Sequence, residues 1–505
     1  MNKTRVMNVF TSGLLACCVF AQPADAESKK LKVFIMAGQS NMVGHANNHT
    51  IPYIKTGPHI PTIESLMPMA KGVVDSEERA FQDSKRAGKN PEPLVGTKEE
   101  RTLKKAEEML AWMKGLLEAE KQDVKRLSDL LVPDVTAEMM DDFFRKKAAL
   151  EADTSLSRGD RDAKLAELAK TIPYATGKRA YIAAFGECEG GVKTGPAAPG
   201  FGASKGKVGP EYGFAMSMEQ ITDAPILIIK TSWGGKSLTY DFRPPSAPDF
   251  KTTKAYADAK AAAEEARKRH EEAVKNFPQV QEKYKADLAA YEEQMKTADE
   301  KTRMKLSKPK EPAQPREPKP FAMDDAGLFW RSMVDSVQKV LADPGKYHPQ
   351  YDASAGYEVA GFVWFQGFND QFSEEYHGQY TDNMELFIED VRKTFKTPAM
   401  PFVIGVLGTS RTKEGVDANA VAVAQRAAAA LPEFKGNVAA VESYLYYTQE
   451  IYPLFMAWRT PQWDSVKDLW GRYASDRPYH YLGSGKFFVR LGDAFASSMA
   501  GMMKQ

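Results

Sequence analysis

Apolar residues along this 505-residue chain fall into two kinds of pattern. The first is short and continuous: Val33–Met36, Ile226–Ile229 and Val359–Trp364, with a further run over Pro401–Leu407. Such runs are what a strand covered on both faces requires, the situation in a parallel sheet. The second is spaced at three and four. Leu103, Ala106, Leu110, Met113 and Leu117 make one stripe. Ala255, Ala259, Ala262, Ala266 and Ala273 make another, followed by Val280, Tyr284, Leu288, Tyr291 and Met295. With Lys and Glu filling the remaining positions, these stripes predict amphipathic surface helices.

The strands alternate with helical patterns, among them Asp325–Leu341 and Lys486–Met499. This predicts an α/β fold built on a doubly wound parallel sheet with helices on both faces. Residues 27–97, 171–250 and 321–505 carry that pattern and form one discontinuous domain, with 27–97 read as the first strand followed by a Pro/Gly-rich loop region. Residues 98–170 read as a helical insertion opened by a capping box at Thr97 and Glu100. Residues 251–320 read as a second insertion. There Asn276-Phe277-Pro278 predicts a helical hairpin or a kinked helix, and Lys308–Pro320 an extended return linker. Both insertions read as solvated helices without chemistry of their own, suited to docking a partner or shaping the rim of a cleft.

Composition narrows the partners. Apolar residues make up 43%, enough for a core, and the net charge is +1, so neither nucleic acid nor an acidic membrane surface is implied. Lys3 and Arg5 precede an apolar run from Val6 to Phe20, and Ala24-Asp25-Ala26 offers a cleavage site. Residues 1–26 therefore read as an export signal, too short for a retained membrane span. Leu15-Ala16-Cys17 supports a competing reading, a lipoprotein acylated on Cys17. Two of the three cysteines lie in this segment, which leaves Cys188 alone, with no intrachain disulfide and no feature nearby to activate it. The seven histidines are scattered and no Cys/His cluster has metal-ligand spacing, so no metal is expected.

Candidate chemistry sits where the strands end. Gly38 and Ser40 follow the first run, and a serine there stands at the carboxyl edge of the sheet beside a helix N-terminus. Alone it reads as a helix cap. Gly234-Gly235, the segment Gln366–Asp370 and His480 occupy later loops that can meet it in the same crevice. Ester cleavage requires a hydroxyl, an imidazole to take its proton, and fixed donors for the oxyanion. These loops offer all three.

Four blocks occur in order: Gly38-Gln39-Ser40-Asn41-Met42, Trp233-Gly234-Gly235-Lys236-Ser237-Leu238, Trp364-Phe365-Gln366-Gly367-Phe368-Asn369-Asp370, and His480-Tyr481. In this they resemble the SGNH hydrolase superfamily, in the carbohydrate acetylesterase branch that includes sialate O-acetylesterases and related acetylxylan esterases. The resemblance implies a flavodoxin-like sheet, Ser40 as nucleophile and His480 as general base. It also implies an oxyanion hole from the N–H groups of Ser40 and Gly235 (Gly234 being the alternative) and an amide from Gln366 or Asn369. The superfamily places an aspartate three residues before the histidine, where this chain has Arg477; Asp476 lies four before. The acid is then Asp476, or Asp464 or Asp468 substitutes, or the site is a Ser-His dyad. Gln39, Trp233 and Asp370 are candidate substrate contacts, Asp370 alternatively holding its loop through backbone hydrogen bonds. Trp233 and Trp364 either stack on sugar rings or pack in the core, and His45 either lines the pocket or sits on an exposed loop. The implied activity is removal of O-acetyl groups from a carbohydrate by an exported serine esterase without metal or organic cofactor. The alternative is a non-catalytic carbohydrate-binding or assembly protein on a degenerate version of the fold, favoured by the missing aspartate at the usual position.

Overall fold

The computed structural model describes residues 29–188 and 190–504; residues 1–26, read as an export signal, lie outside the described residues. The strands are β1 (Leu31–Gly38), β2 (Ala46–Asn47), β3 (Ala180–Gly186), β4 (Val192–Pro196), β5 (Lys207–Val208), β6 (Ile226–Ser232), β7 (Tyr357–Phe365), β8 (Phe402–Val406) and β9 (Val438–Glu442). Seven of them form one sheet in the order β4-β3-β6-β1-β7-β8-β9. Neighbours are parallel except β3 and β4, which pair antiparallel. The α/β class with a mostly parallel sheet is thus the one the apolar runs predict.

Alternation along β1 explains why its run is continuous. Phe34 and Met36 enter the core on one face, Val33, Ile35 and Ala37 the core on the other. On the first face lie the helices Pro210–Ile221 and Gly485–Met503, pressed so closely that a Cβ on Gly213 would stand 2.2 Å from Val489 O and one on Gly492 2.1 Å from Pro210 O. The second face is covered by Leu328–Ala342, Tyr380–Thr394 and Ala420–Ala429.

Topology fixes where chemistry can occur. After β1 the chain builds β3 and β6 on one side and then β7, β8 and β9 on the other. The switch point of the sheet therefore lies beside the carboxyl end of β1, between β6 and β7. Ser40 stands there.

Residues 98–170 are helical as expected, but two other stretches differ from the sequence expectation. The region read as a Pro/Gly-rich loop before residue 97 contains the helix Ile63–Arg86, which pairs with Lys98–Ala119 through Leu66, Ala70, Ala106 and Met113. Prolines at 58, 61 and 68 obscured its three-and-four spacing; Pro68 is accommodated inside the helix. The capping box forms, Thr97 accepting from Glu100 N and Glu100 bonding back to Thr97 N. Residues Lys254–Thr297 form a single 44-residue helix with Pro278 inside it, not a hairpin. Such a helix is about 65 Å long at 1.5 Å per residue. It buries none of its residues, as the solvated reading requires.

Candidate active site

Ser40 opens a short helix, Ser40–Val43, directly after β1. The turn depends on close approach: a Cβ on Gly38 would lie 2.1 Å from Phe365 O, and Gln39 N donates to that same carbonyl at 3.2 Å. Gln39, not Ser40, occupies the N-cap position, and it makes no side-chain cap. The Ser40 hydroxyl is therefore not engaged as the cap that its position alone suggested. The far end of this helix is anchored from below. Lys230 of β6, 1% exposed, donates to Val43 O at 2.7 Å, to Phe201 O at 2.9 Å and to Glu211 Oε2 at 2.7 Å.

The histidine reaches the serine's loop through neighbouring contacts. Asn41 Nδ2 donates to Tyr479 O at 3.2 Å, and Asn47 N to Ser475 Oγ at 2.9 Å. His480 sits on a tight loop in which Tyr481, Leu482 and Gly483 all have positive φ (51°, 63° and 57°). Two non-glycine residues in this region cost energy and persist only when their surroundings fix them. Here Leu482 O accepts from Ser475 N and Asp476 N, at 2.9 and 3.0 Å. Tyr481 stacks on Phe487, its hydroxyl 2.8 Å from Ser443 Oγ and accepting from Gly408 N at 2.9 Å.

The same loop brings Asp476 back to the imidazole. Asp476 Oδ2 is 3.2 Å from His480 Nδ1, close but not aligned as a hydrogen bond. One additional residue in the turn offsets the shift from the usual aspartate position, now Arg477. Burial pushes the Asp476 carboxyl up, but the contact with His480, the Arg477 N–H and the Lys207 charge outweigh it, and the net displacement is downward. Asp464 and Asp468 lie exposed on the helix Trp463–Tyr473, Asp464 paired with Lys467, so neither stands in for Asp476.

His45 belongs to this cluster and not to an exposed loop. Its ring stacks on His480 at 4.1 Å with an interplanar angle of 6°, and its Nδ1 is 3.7 Å from Asp476 Oδ2. Burial, His480 and Lys207 push it down to about 4. Nothing in the spacing around His45 announces this, because its partner lies more than 400 residues away. His49, half-buried beside Phe143 and Phe144 of the insertion, is likewise pushed down to about 4, mainly by desolvation of its ring.

These shifts carry a consequence for stability. Unfolded histidines titrate near 6.5, so between pH 6.5 and 4 the folded state binds fewer protons than the unfolded one and loses stability as pH falls. Asp370, pushed up to about 6 by burial, acts oppositely: its cost is full above pH 6 and is relieved as pH falls towards 4. Two histidines outweigh one aspartate, so the melting temperature should fall between pH 7 and pH 4. A temperature that holds or rises over that window would contradict the burial of His45 and His49.

The third block forms a dense polar knot around Gln39. Gln39 Oε1 accepts from Gln366 Nε2 at 3.2 Å, Gly367 N at 3.1 Å and Asn369 N at 3.4 Å. Gln366, 3% exposed, also donates to Lys236 O at 2.8 Å and Asp370 Oδ2 at 2.6 Å, while its Oε1 accepts from Tyr380 at 2.9 Å. Its amide is fully occupied. Asn369 is half-buried, and its Nδ2 makes one bond, to Gly235 O at 2.9 Å, which leaves one amide hydrogen over. Asp370 is wholly buried and accepts from Leu238 N at 3.0 Å and Thr239 N at 3.1 Å.

Of the expected substrate contacts, Gln39 is instead enclosed in the knot, and Asp370 takes its alternative reading, accepting backbone hydrogen bonds. Gln39 and Asp370 are buried, with their oxygens committed to the knot, and position the loops around Ser40. In the second block, Gly234 N donates to Glu187, whereas Gly235 is exposed at φ +70°. Trp233 is half-buried against Phe242 and Phe329, and Trp364 is fully buried against Phe242, which makes Trp364 a core residue. Cys188 is half-buried, its thiol pushed up by burial.

A family model described as carbohydrate esterase, sialic acid-specific acetylesterase, matches residues 328–445, a span that holds the third block. No curated protein matches the chain. Among solved structures, a protein of Arabidopsis thaliana is 12% identical with a TM-score of 0.31, over 65% of this chain and 88% of its own. A carbohydrate acetylesterase from Xanthomonas citri is 13% identical at a TM-score of 0.27, covering 52% of this chain and 42% of its own. NanS is 13% identical at 0.26, over 53% and 68% respectively. The family match thus falls on the third block, in a span short of half the chain, and over that span the chain is similar to carbohydrate esterases of the sialic acid-specific acetylesterase family.

Proposed function

We propose that this protein is an exported serine esterase that removes O-acetyl groups from a carbohydrate. The observation that carries the reading is the gathering of four loops at the switch point of the sheet: Ser40 after β1, Gly235 after β6, Asn369 after β7, and the loop of His480 backed by Asp476. In the reaction, Ser40 Oγ attacks the acetyl carbon while His480 accepts its proton. Asp476 holds the ring through Nδ1 and stabilises its charged form. The oxyanion takes hydrogen bonds from the N–H groups of Ser40 and Gly235 and from the amide of Asn369. Asn369 fits this role and Gln366 does not, because only Asn369 has a hydrogen to spare; Gly235 fits better than Gly234, whose N–H is held by Glu187. His480 then protonates the departing sugar oxygen. Water attacks the acyl-enzyme, His480 taking its proton, and acetate leaves with Ser40 restored.

Acetate release from a panel of acetylated carbohydrates, O-acetylated sialic acids and acetylated xylan included, tests the function. Release from at least one is expected; release from none, with p-nitrophenyl acetate also untouched, would contradict it and favour a binding protein. Within the site, Asn369→Ala should lower kcat by about 10²–10³ with little change in melting temperature, the cost of one oxyanion donor. Gln366→Ala should instead lower the melting temperature, since it strips four hydrogen bonds from a buried knot. The reverse pattern would exchange the two roles.

A further inference from the structure

We propose that His45 and Tyr479 clamp the His480 ring from two sides and fix its plane, which makes both of them positioning residues for the base. The inference rests on the esterase reading above and names what keeps its base in place.

The need for such a clamp follows from Asp476. In a Ser-His-Asp triad the aspartate accepts from the imidazole Nδ1 and so sets the orientation of the ring. Here Asp476 Oδ2 stands 3.2 Å from His480 Nδ1 but out of line with it. A contact without hydrogen-bond direction attracts the ring but does not fix its plane. A base whose ring turns loses its reach to Ser40, since misplacement by about 1 Å costs about 10²-fold in rate.

Two neighbouring rings remove that freedom. His45 lies face to face with His480, the centroids 4.1 Å apart and the planes 6° from parallel. Tyr479 packs on the same imidazole at 4.5 Å and 73°. Stacked and edge-to-face contacts are the arrangements such rings prefer. Tyr479 is braced in turn by Phe368 at 5.7 Å, and its carbonyl accepts from Asn41 Nδ2.

His45 is suited to this role. Its Nε2 is buried without a partner and its Nδ1 is 3.7 Å from Asp476 Oδ2, beyond hydrogen-bond reach, so what it offers is the face of its ring. Its backbone is fixed. Gly44 N donates to Ser40 O at 3.0 Å, and Gly44 turns at φ +89°, where a Cβ would stand 2.3 Å from Gly209. Lys207 Nζ donates to His45 O at 3.0 Å. The segment that carries the nucleophile therefore also carries a ring that sets its base. Because burial, His480 and Lys207 push His45 down to about 4, its ring is neutral at neutral pH and does not repel His480 once that ring has taken the serine's proton.

The test compares His45→Ala, His45→Phe and Tyr479→Ala with the wild type on p-nitrophenyl acetate, which carries no sugar, with melting temperatures read on the same preparations. His45→Ala should lower kcat about 10²-fold with KM within about twofold, and His45→Phe, which keeps a ring to stack, should recover most of the loss. Tyr479 is 44% exposed, so Tyr479→Ala should melt with the wild type and lower kcat by about threefold to tenfold, which decides the question without touching the core. Wild-type kcat in His45→Ala, a loss that His45→Phe does not recover, or a raised KM at full kcat in Tyr479→Ala overturns the clamp while leaving the esterase intact. If the wild type hydrolyses nothing, the esterase reading fails on its own. The His480 ring signals in ¹H–¹⁵N spectra, assigned with His480→Ala, then decide the clamp: a narrow set in the wild type that broadens in Tyr479→Ala supports it, and a set equally narrow in the variant overturns it.

Discussion

Replacing Ser40 by alanine should lower acetate release from acetylated sugars by at least about 10⁴-fold, while the melting temperature stays within a degree or two of the wild type. In the proposed mechanism the rate loss follows from removing the atom that bonds to the acetyl carbon; nucleophile deletions in serine hydrolases reach about 10⁶. The unchanged stability follows from the structure. Gln39 occupies the cap position, and the turn is held by Gly38 against Phe365 and by Lys230 on Val43 O, none of which involves the serine hydroxyl. Kinetics and thermal unfolding on the same preparation separate the two effects. A variant that retains the wild-type rate removes Ser40 from the chemistry.

The second large effect lies beneath the site. Lys230→Met should cost about 3–5 kcal/mol of stability, the usual result of breaking a buried ion pair by removing one partner. Glu211 would remain wholly buried with its carboxylate facing an apolar side chain, and Val43 O and Phe201 O would lose their donor. Burial pushes the Lys230 ammonium down while Glu211 holds it up, so the pair stands or falls together. The double variant Lys230→Met/Glu211→Gln should recover part of the loss, because the unpaired charge is gone, but not all of it, because the two carbonyls stay unsatisfied. Denaturant unfolding reads both. Strictly additive losses would show that the pair is not coupled. Because Val43 closes the Ser40 helix, kcat should also fall in the single variant at temperatures where it remains folded.

The sheet was legible because it is a matter of local pattern. Val33–Met36, Ile226–Ile229 and Val359–Trp364 are apolar without interruption, and each proved to be a strand covered on both faces. That Ser40, Gly235, Gln366, Asn369 and His480 lie on loops gathered beside β1 was legible because each follows a strand or precedes the last helix. What the sequence withheld depends on distant partners. His45 differs from an exposed loop histidine only by stacking on His480, and Gln366 differs from Asn369 only by having its amide hydrogens already taken. The helix Ile63–Arg86 was masked by its prolines, and Pro278 was overrated as a break in a helix that absorbs it. The aspartate at an unusual spacing is a geometric matter too: the positive-φ turn through Tyr481 and Leu482 brings Asp476 back to the ring.

Labelling with a fluorophosphonate, followed by peptide mapping, tests the central claim most directly, since only a serine activated by a neighbouring base and oxyanion donors reacts readily with such a probe. The account predicts a single adduct on Ser40, formed in the wild type, strongly slowed in His480→Ala and absent in Ser40→Ala. No adduct on Ser40 in folded wild-type protein, or one formed equally fast in His480→Ala, would contradict it.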